Sequence, residues 1–248
     1  LSSTNTCSAV KFPLSREFLS RSMSVTPPDI QDPGSNPPSV VVEENLATVA
    51  FEGNSKGFTG TLEGDTNIES DGDLKDASVT LETEENETVS STVSAKLVRN
   101  GEFGIDGPGS GQFTFDAAPE EETAASSRAA ENGLVQKTSV TGANKGDSVK
   151  FTGKTTVQRS SLDMGKGADT VTFGAKTQFV GKTTIDLGPA GGKADKVIFK
   201  GSNTAEGGKV VIENFDSKDK LLVNGEVLKQ SDLEDGEKID GIKIEFAD

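Results

Sequence analysis

Four aspartates, each standing directly before an apolar run, are the residues of this sequence best placed to do chemistry. Asp147, Asp169, Asp195 and Asp219 recur at intervals of 22, 26 and 24 residues. Hard cations such as calcium bind about six to eight oxygens, which carboxylates and turn carbonyls supply. Aspartates at turns also accept hydrogen bonds from the backbone of their own turn. The spacing therefore marks these aspartates as turn residues, and carboxylates at turns are also groups through which a cation could be held.

The chain lacks the side chains on which most active sites depend. It contains no His, Trp or Tyr and one Cys, Cys7. A Ser-His-Asp triad, a Cys/His zinc site and an internal disulfide are therefore excluded. Acid pairs such as Asp71 and Asp73 are of the type that glycosidases use, but 40 acidic residues make such neighbours common. We expect that the protein is not an enzyme.

Composition limits the classes of partner and the thickness of the core. A net charge of −15 and a pI near 4.5 argue against nucleic acid, because phosphate contacts need Lys and Arg. No run of 18 apolar residues is present, so we expect no membrane span. Only 32% of the residues are hydrophobic, which favours a thin core repeated along an axis.

Two rows of apolar residues repeat along the second half of the chain. The first row follows each Asp, as in Asp169-Thr170-Val171-Thr172-Phe173. The second row consists of apolar pairs separated by one residue: Leu162/Met164, Ile185/Leu187 and Val210/Ile212. Because side chains alternate along a strand, both members of a pair point to one side. Stacked turns would place each pair on its equivalent, which predicts a β-solenoid.

The turns of this repeat also resemble a known family. Residues 164–171, Met-Gly-Lys-Gly-Ala-Asp-Thr-Val, resemble the nonapeptide of RTX (hemolysin-type) calcium-binding proteins, with Met164 in place of the first Gly. The resemblance covers roughly residues 145–228 and implies a β-roll-like body with calcium as the only cofactor. It implies a calcium site at Gly165, Gly167, Asp169, Asp195 and Asp219. We nevertheless expect a metal-free coil without a cofactor, with calcium as the alternative, because one near-complete loop cannot supply six to eight oxygens and Lys166, Lys193, Lys218 and Lys220 would repel a cation.

Residues 1–40 differ from the rest and predict an extended arm. Residues 1–26 have a net charge of +2, and five prolines follow within residues 26–38, which favours an extended linker. Ordering such a segment requires a partner surface. The residues predicted to contact a neighbouring subunit are Lys11, Phe12, Leu14, Arg16, Phe18, Leu19 and Arg21.

The rest of the chain divides into three predicted parts. Residues 41–116 show short alternating runs between Gly and Asp turns, which predict an N-terminal β unit. Residues 117–133 begin with Pro and three Glu and contain several Ala, which predicts one short surface helix as a connector. Residues 134–248 form the predicted solenoid repeat unit. The expected fold is all-β, with a β-solenoid or β-roll-like body and an extended N-terminal arm.

Two functions remain open at this point. The first is a non-enzymatic structural protein of an extracellular filament, a cell-surface layer or a virion, whose partners are further copies or neighbouring structural subunits. Arm exchange or strand addition would join the subunits. The second is a secreted, calcium-binding adhesin or export module of RTX type. Both place the protein outside the cell or on the surface of a cell or virion.

Overall fold

The structure, a computed structural model, describes residues 24–26, 39–43, 46–117, 133–189, 192–205, 207–229, 238–239 and 241–247. The described residues form β-strands and turns and contain no helix, and thus none that could cross a membrane. The strands make three sheets, A, B and C, with ten, ten and seven strands. The predicted all-β fold is confirmed.

Neighbouring strands within each sheet follow one another in a regular spatial order. Sheet A contains β1 (Ser24–Thr26), β5 (Thr59–Glu63), β8 (Ser78–Glu82), β11 (Glu102–Asp106), β14 (Ser139–Thr141), β17 (Ser161–Asp163), β20 (Lys182–Asp186), β23 (Lys209–Glu213), β27 (Ile242–Ala247) and β26 (Lys238–Ile239). Sheet B contains β2 (Ser39–Glu43), β3 (Leu46–Phe51), β6 (Asp65–Ser70), β9 (Thr88–Ala95), β12 (Ser110–Ala117), β15 (Ser148–Thr152), β18 (Thr170–Phe173), β21 (Lys196–Phe199), β24 (Lys220–Val223) and β25 (Glu226–Leu228). Sheet C contains β4 (Ser55–Lys56), β7 (Asp73–Lys75), β10 (Leu97–Arg99), β13 (Gly133–Gln136), β16 (Thr155–Gln158), β19 (Gln178–Val180) and β22 (Thr204–Ala205).

Each coil of the chain passes through sheet B, then sheet C, then sheet A. The first coil consists of β3, β4 and β5, and the last of the seven consists of β21, β22 and β23. Equivalent strands of successive coils pair in parallel, about 4.8 Å apart. The pairing of β15 with β18 aligns Val149 with Val171 and Phe151 with Phe173. The predicted β-solenoid body is therefore confirmed.

The two predicted apolar rows form the inner faces of sheets B and A. Phe115, Phe151, Phe173 and Phe199 stack in successive coils of sheet B, with ring centroids 5.3, 5.1 and 5.1 Å apart. Each such pair contributes about 0.5–1.5 kcal/mol beyond the area that it buries. The sheet A row, which includes Ile185, is equally buried. The core is thus thin, as the low hydrophobic content predicts.

Sheet C is a third face that the two apolar rows did not predict. Its strands have only two to four residues in these coils, and the inward positions of β16 are Thr155 and Val157. A row that mixes Thr with Val does not stand out in the sequence. Because each coil passes through three sheets, the chain takes 22 to 26 residues to return to the equivalent position before the next strand of sheet B.

The turn from sheet C into sheet A contains one residue with positive φ in every coil. These residues are Gly57, Asp76, Asn100, Lys137, Arg159, Gly181 and Gly207, with φ between 50° and 72°. The left-handed region favours Gly, Asn and Asp, and a longer side chain adopts it at a cost of about 1 kcal/mol. The N–H of Lys137 donates to the carbonyl of Gln158 in the next coil at 2.8 Å. Inter-coil hydrogen bonds of this kind hold the bend in place.

All three sheets run continuously from the first predicted β unit into the second. In sheet B, β12 pairs with β9 on one side and with β15 on the other, although Gln112 and Ser148 are 36 residues apart. In the sequence, the additional residues lie between β12 and β13. Residues 118–132, where the helical connector was predicted, lie outside the described part of the chain.

Short antiparallel strands cover both ends of sheets A and B. β1 pairs with β5 and β2 pairs with β3 at the N-terminal end. β25 pairs with β24 and β26 pairs with β27 at the other end. These strands cover edges of parallel strands that would otherwise present unpaired backbone groups.

Candidate functional site

The turns that lead from sheet A into sheet B bring the predicted metal-site residues together. The described residues of the turns before β15, β18, β21 and β24 are 142–147, 164–169, 188–189 with 192–195, and 214–219, and together they make up the A–B corner. Each of these turns ends at an aspartate of the 22-to-26-residue repeat. The predicted residues Gly165, Gly167, Asp169, Asp195 and Asp219 therefore all lie at one corner of the solenoid.

The aspartates form a ladder in which each carboxylate binds the backbone of a neighbouring coil. The N–H of Asp147 donates to Oδ1 of Asp169 at 2.7 Å, and the N–H of Asp169 to Oδ1 of Asp195 at 2.7 Å. The N–H of Asp195 donates to Oδ1 of Asp219 at 2.8 Å. Asp147 accepts from the N–H of Gly111 at 2.7 Å. Hydrogen bonds to an ionised group contribute about 1.5–3 kcal/mol each, so the ladder ties five coils together.

Among the described residues, the outer members of the ladder also bind their own turns. Oδ2 of Asp147 accepts the N–H of Ala143, and Oδ2 of Asp219 accepts the N–H of Asp216, both at 2.7 Å. Own-turn hydrogen bonding, one of the two sequence interpretations, is therefore correct at these two positions. Oδ2 of Asp169 is buried and has no hydrogen-bond partner among the described residues. Asp147 is not among the residues predicted for the calcium site, although the same Asp-before-strand pattern marks it.

Glycines at the A–B corner let successive turns approach each other closely. A Cβ on Gly167 would lie 2.0 Å from the carbonyl oxygen of Lys145 in the preceding turn. A Cβ on Gly188, whose φ is +81°, would lie 1.6 Å from the carbonyl oxygen of Gly165. Real Cβ atoms do not come this close to oxygen. Close packing of the turns is thus a sufficient reason for the glycines that resemble the RTX nonapeptide.

Burial raises the pKa of the carboxyls in the ladder. Desolvation raises the pKa of Asp169 from 3.8 to about 7; the hydrogen bond from Asp147 opposes this shift, and the charge of Asp195 reinforces it. Desolvation likewise raises the pKa of Asp195 to about 6 and raises that of Asp147. The middle of the ladder is therefore partly protonated at neutral pH.

A cleft of about 360 Å³ lies beside the ladder at the A–B corner. Lys166, Lys193 and Asp195 line it together with Leu187 and backbone of the glycine turns. Lys166 and Lys193 are exposed, and neither adds an oxygen to the cleft. Ammonium groups beside a partly protonated carboxyl ladder repel cations rather than bind them.

The side chains at the A–B corner do not supply a coordination sphere for calcium. Among the described residues, no three Cys, Asp or Glu side chains converge as metal ligands. Oδ1 of each ladder aspartate from Asp147 to Asp219 is occupied by a backbone N–H. Oδ2 of Asp169 is the remaining buried acceptor, whereas calcium requires about six oxygens or more. Calcium binding is therefore a prediction that only a titration tests.

The predicted subunit-contact residues cannot be placed. Lys11, Phe12, Leu14, Arg16, Phe18, Leu19 and Arg21 lie outside the described residues, which begin with β1 at Ser24.

Comparison of the chain with family models, with curated proteins and with solved structures found no match. The function is therefore argued from the geometry of this chain.

Proposed function

We propose that the protein is a non-enzymatic structural subunit that assembles outside the cell, in a filament, a cell-surface layer or a virion. Its copies, or its copies and neighbouring structural subunits, associate by arm exchange or strand addition. The observation that supports this proposal is the antiparallel pairing of β1 and β2 with the first coil. Both strands precede that coil, and β1 belongs to the predicted arm.

The β1 strand of a second copy can take the place of β1 beside β5. Ser24, Val25 and Thr26 pair with residues 59–61 of β5 through the backbone. Twelve residues, five of them Pro, separate β1 from β2, a composition that favours an extended linker. Strand addition uses backbone groups, which are the same in every copy. An arm that pairs with β5 of the next copy would make a head-to-tail contact, which leads to rings or filaments.

The acid pair that was considered for glycoside cleavage has a structural position. Asp71 accepts a hydrogen bond from the N–H of Gly53 in the preceding coil, and Asp73 forms an ion pair with Lys75 at 2.8 Å. These contacts hold the turn from sheet B into sheet C. Together with the absence of His from the chain, they favour a structural rather than a catalytic function.

Truncation of the arm tests the proposal. Removal of residues 1–26 deletes β1 and all seven predicted contact residues, whereas removal of residues 1–10 deletes none of them. We expect the full chain and the shorter truncation to form the same assemblies by light scattering and electron microscopy, and the longer truncation to remain monomeric. Unchanged assembly of the chain that lacks residues 1–26 would show that the arm has no part in it.

A calcium-binding adhesin or export module of RTX type is the second candidate. The unpartnered Oδ2 of Asp169 is the observation that favours it, whereas the lysines that line the cleft beside the ladder oppose it. Calorimetric titration with calcium and melting with and without chelator test it. A melting temperature several degrees higher in calcium, lost in Asp169→Asn, supports this candidate; identical melting curves exclude it.

A further inference from the structure

Along five of its seven strands, the outer face of sheet C carries a positive charge that contrasts with the rest of the chain, whereas β7 and the turn after it add Asp73 and Asp76 to the face. Five segments, residues 96–101, 133–138, 153–160, 174–181 and 200–205, follow one another along this face and contain no Asp or Glu. They contain seven basic residues, all with exposed side chains: Lys96, Arg99, Lys137, Lys154, Arg159, Lys176 and Lys200. Since the whole chain carries −15, the remainder carries −22.

The basic residues border the strands of sheet C on both sides. Lys154, Lys176 and Lys200 stand in the turns that enter β16, β19 and β22, one in each of three successive coils. Lys137 and Arg159 stand in the turns that leave β13 and β16. Neighbouring coils are about 4.8 Å apart, and the two borders are about 15 Å apart across β16. The charges therefore form two lines that run along the axis of the solenoid.

Neutral hydrogen-bonding groups fill the strip between the two lines. Gln136 is in register with Gln158, and Thr156 is in register with Gln178, on the side of the sheet that faces away from the core. Amides and hydroxyls both donate and accept hydrogen bonds. Phe179, the aromatic residue of β19, points into the core and is fully buried.

This arrangement fits a linear acidic polymer of sugars better than a nucleic acid. An extended polyuronate carries about one carboxylate per sugar ring, and a ring is close in length to the spacing between coils. The amides and hydroxyls match sugar hydroxyl groups. Proteins that bind single-stranded nucleic acid stack the bases on aromatic side chains, and the described residues of this face expose none.

We propose that the outer face of sheet C binds a linear acidic polysaccharide along the solenoid axis. The chain's own net charge weakens attraction at long range, but at 0.1 M salt charges more than about 10 Å away are largely screened. Binding is then determined by the local basic strip. The proposal does not depend on assembly through the arm, and it would give a surface or matrix protein a means of attachment.

The experiment measures binding of the full chain to sodium polygalacturonate by calorimetry, at low salt and over a salt series. Neutral dextran and single-stranded DNA serve as comparison polymers. The test variant is Arg159→Gln/Lys176→Gln/Lys200→Gln. The matched control, Lys145→Gln/Lys166→Gln/Lys218→Gln, removes the same charge from the A–B corner, and melting curves verify that both variants are folded.

We expect the wild-type chain to bind polygalacturonate with an affinity that falls steeply as salt rises, and not to bind dextran. The sheet C variant should bind about tenfold more weakly or worse, because three neutralised contacts are lost. The control should stay within about twofold of wild type. The chain without residues 1–26 should bind as the full chain does. Absence of binding at low salt, equal losses in the two variants, or tighter binding of DNA would each overturn the proposal.

Discussion

Replacement of Asp169 by Asn should remove a pH dependence of stability that is built into the aspartate ladder. The Asp169 carboxyl is 1% exposed, and its Oδ2 has no hydrogen-bond partner among the described residues. Asn keeps the Oδ1 that accepts the N–H of Asp147 at 2.7 Å, but it does not ionise. The substitution thus removes the titration and leaves the inter-coil hydrogen bond.

The magnitude of this pH dependence follows from the difference between the pKa of Asp169 in the folded protein and its pKa in the unfolded chain. The folded protein holds this proton to a pH of about 7, whereas the unfolded chain releases it near 3.8. The contribution of the neutral carboxyl to stability is complete below pH 3.8 and is lost as the pH rises towards 7. One pKa unit corresponds to 1.36 kcal/mol, so the loss amounts to about 4 kcal/mol. Relative to wild type, Asp169→Asn should gain about this much free energy of unfolding between pH 4 and pH 7.5.

Urea denaturation of both proteins at half-unit steps from pH 4 to pH 8 measures this difference. Asp163→Asn is the control, because Asp163 lies in the preceding strand, β17, with an exposed side chain outside the ladder. This variant removes one carboxylate without changing the ladder and should not reproduce the gain. Parallel curves for Asp169→Asn and wild type would refute the reasoning, because they would show that Asp169 ionises equally in the folded and unfolded states.

Two further substitutions test the core and the corner. Phe173→Ala removes a fully buried ring from the middle of the phenylalanine stack and should lower the free energy of unfolding by about 3–5 kcal/mol, measured by urea denaturation. Phe173→Leu keeps most of the buried apolar volume and should retain most of that stability; equal losses in the two variants would show that stacking of the ring, rather than apolar burial, carries the contribution. Gly167→Ala places a Cβ 2.0 Å from the Lys145 carbonyl and should lower the melting temperature, whereas Gly104→Ala, whose Cβ meets nothing closer than 3.9 Å, should not.

The apolar pattern of the sequence predicted sheets A and B but not sheet C. The reason is that the strands of sheet C bury different side chains from those of sheets A and B. Sheets A and B bury two apolar residues of a strand at every second position, as at Val171 and Phe173, so period two is visible in the sequence. Sheet C places Thr155 and Val157 at the equivalent positions of β16. A buried Thr that bonds the carbonyl of Thr152 satisfies its hydroxyl locally, and no sequence pattern distinguishes it from an exposed Thr.

The residues of the predicted site come together at one corner of the solenoid, but the hydrogen-bond partners of its aspartates were not predicted. Turn aspartates were expected to bind calcium or their own backbone. The structure instead joins Asp169 and Asp195 to N–H groups 22 and 26 residues away, because the stacking of coils brings those groups closer than the local turn does. The basic strip on sheet C was not predicted, since its lysines are separated by about a coil of sequence and form a line only when coils stack.

The sequence by itself determined that the protein is a repetitive all-β molecule with a thin core and without histidine chemistry. Periodicity and composition are local properties, and they suffice for conclusions of that kind. Tertiary structure alone decided that a coil has three faces, that burial raises the pKa of Asp169, and that seven scattered cations share one surface. Each of these depends on which residues from different coils become neighbours, and the strand register between coils determines that.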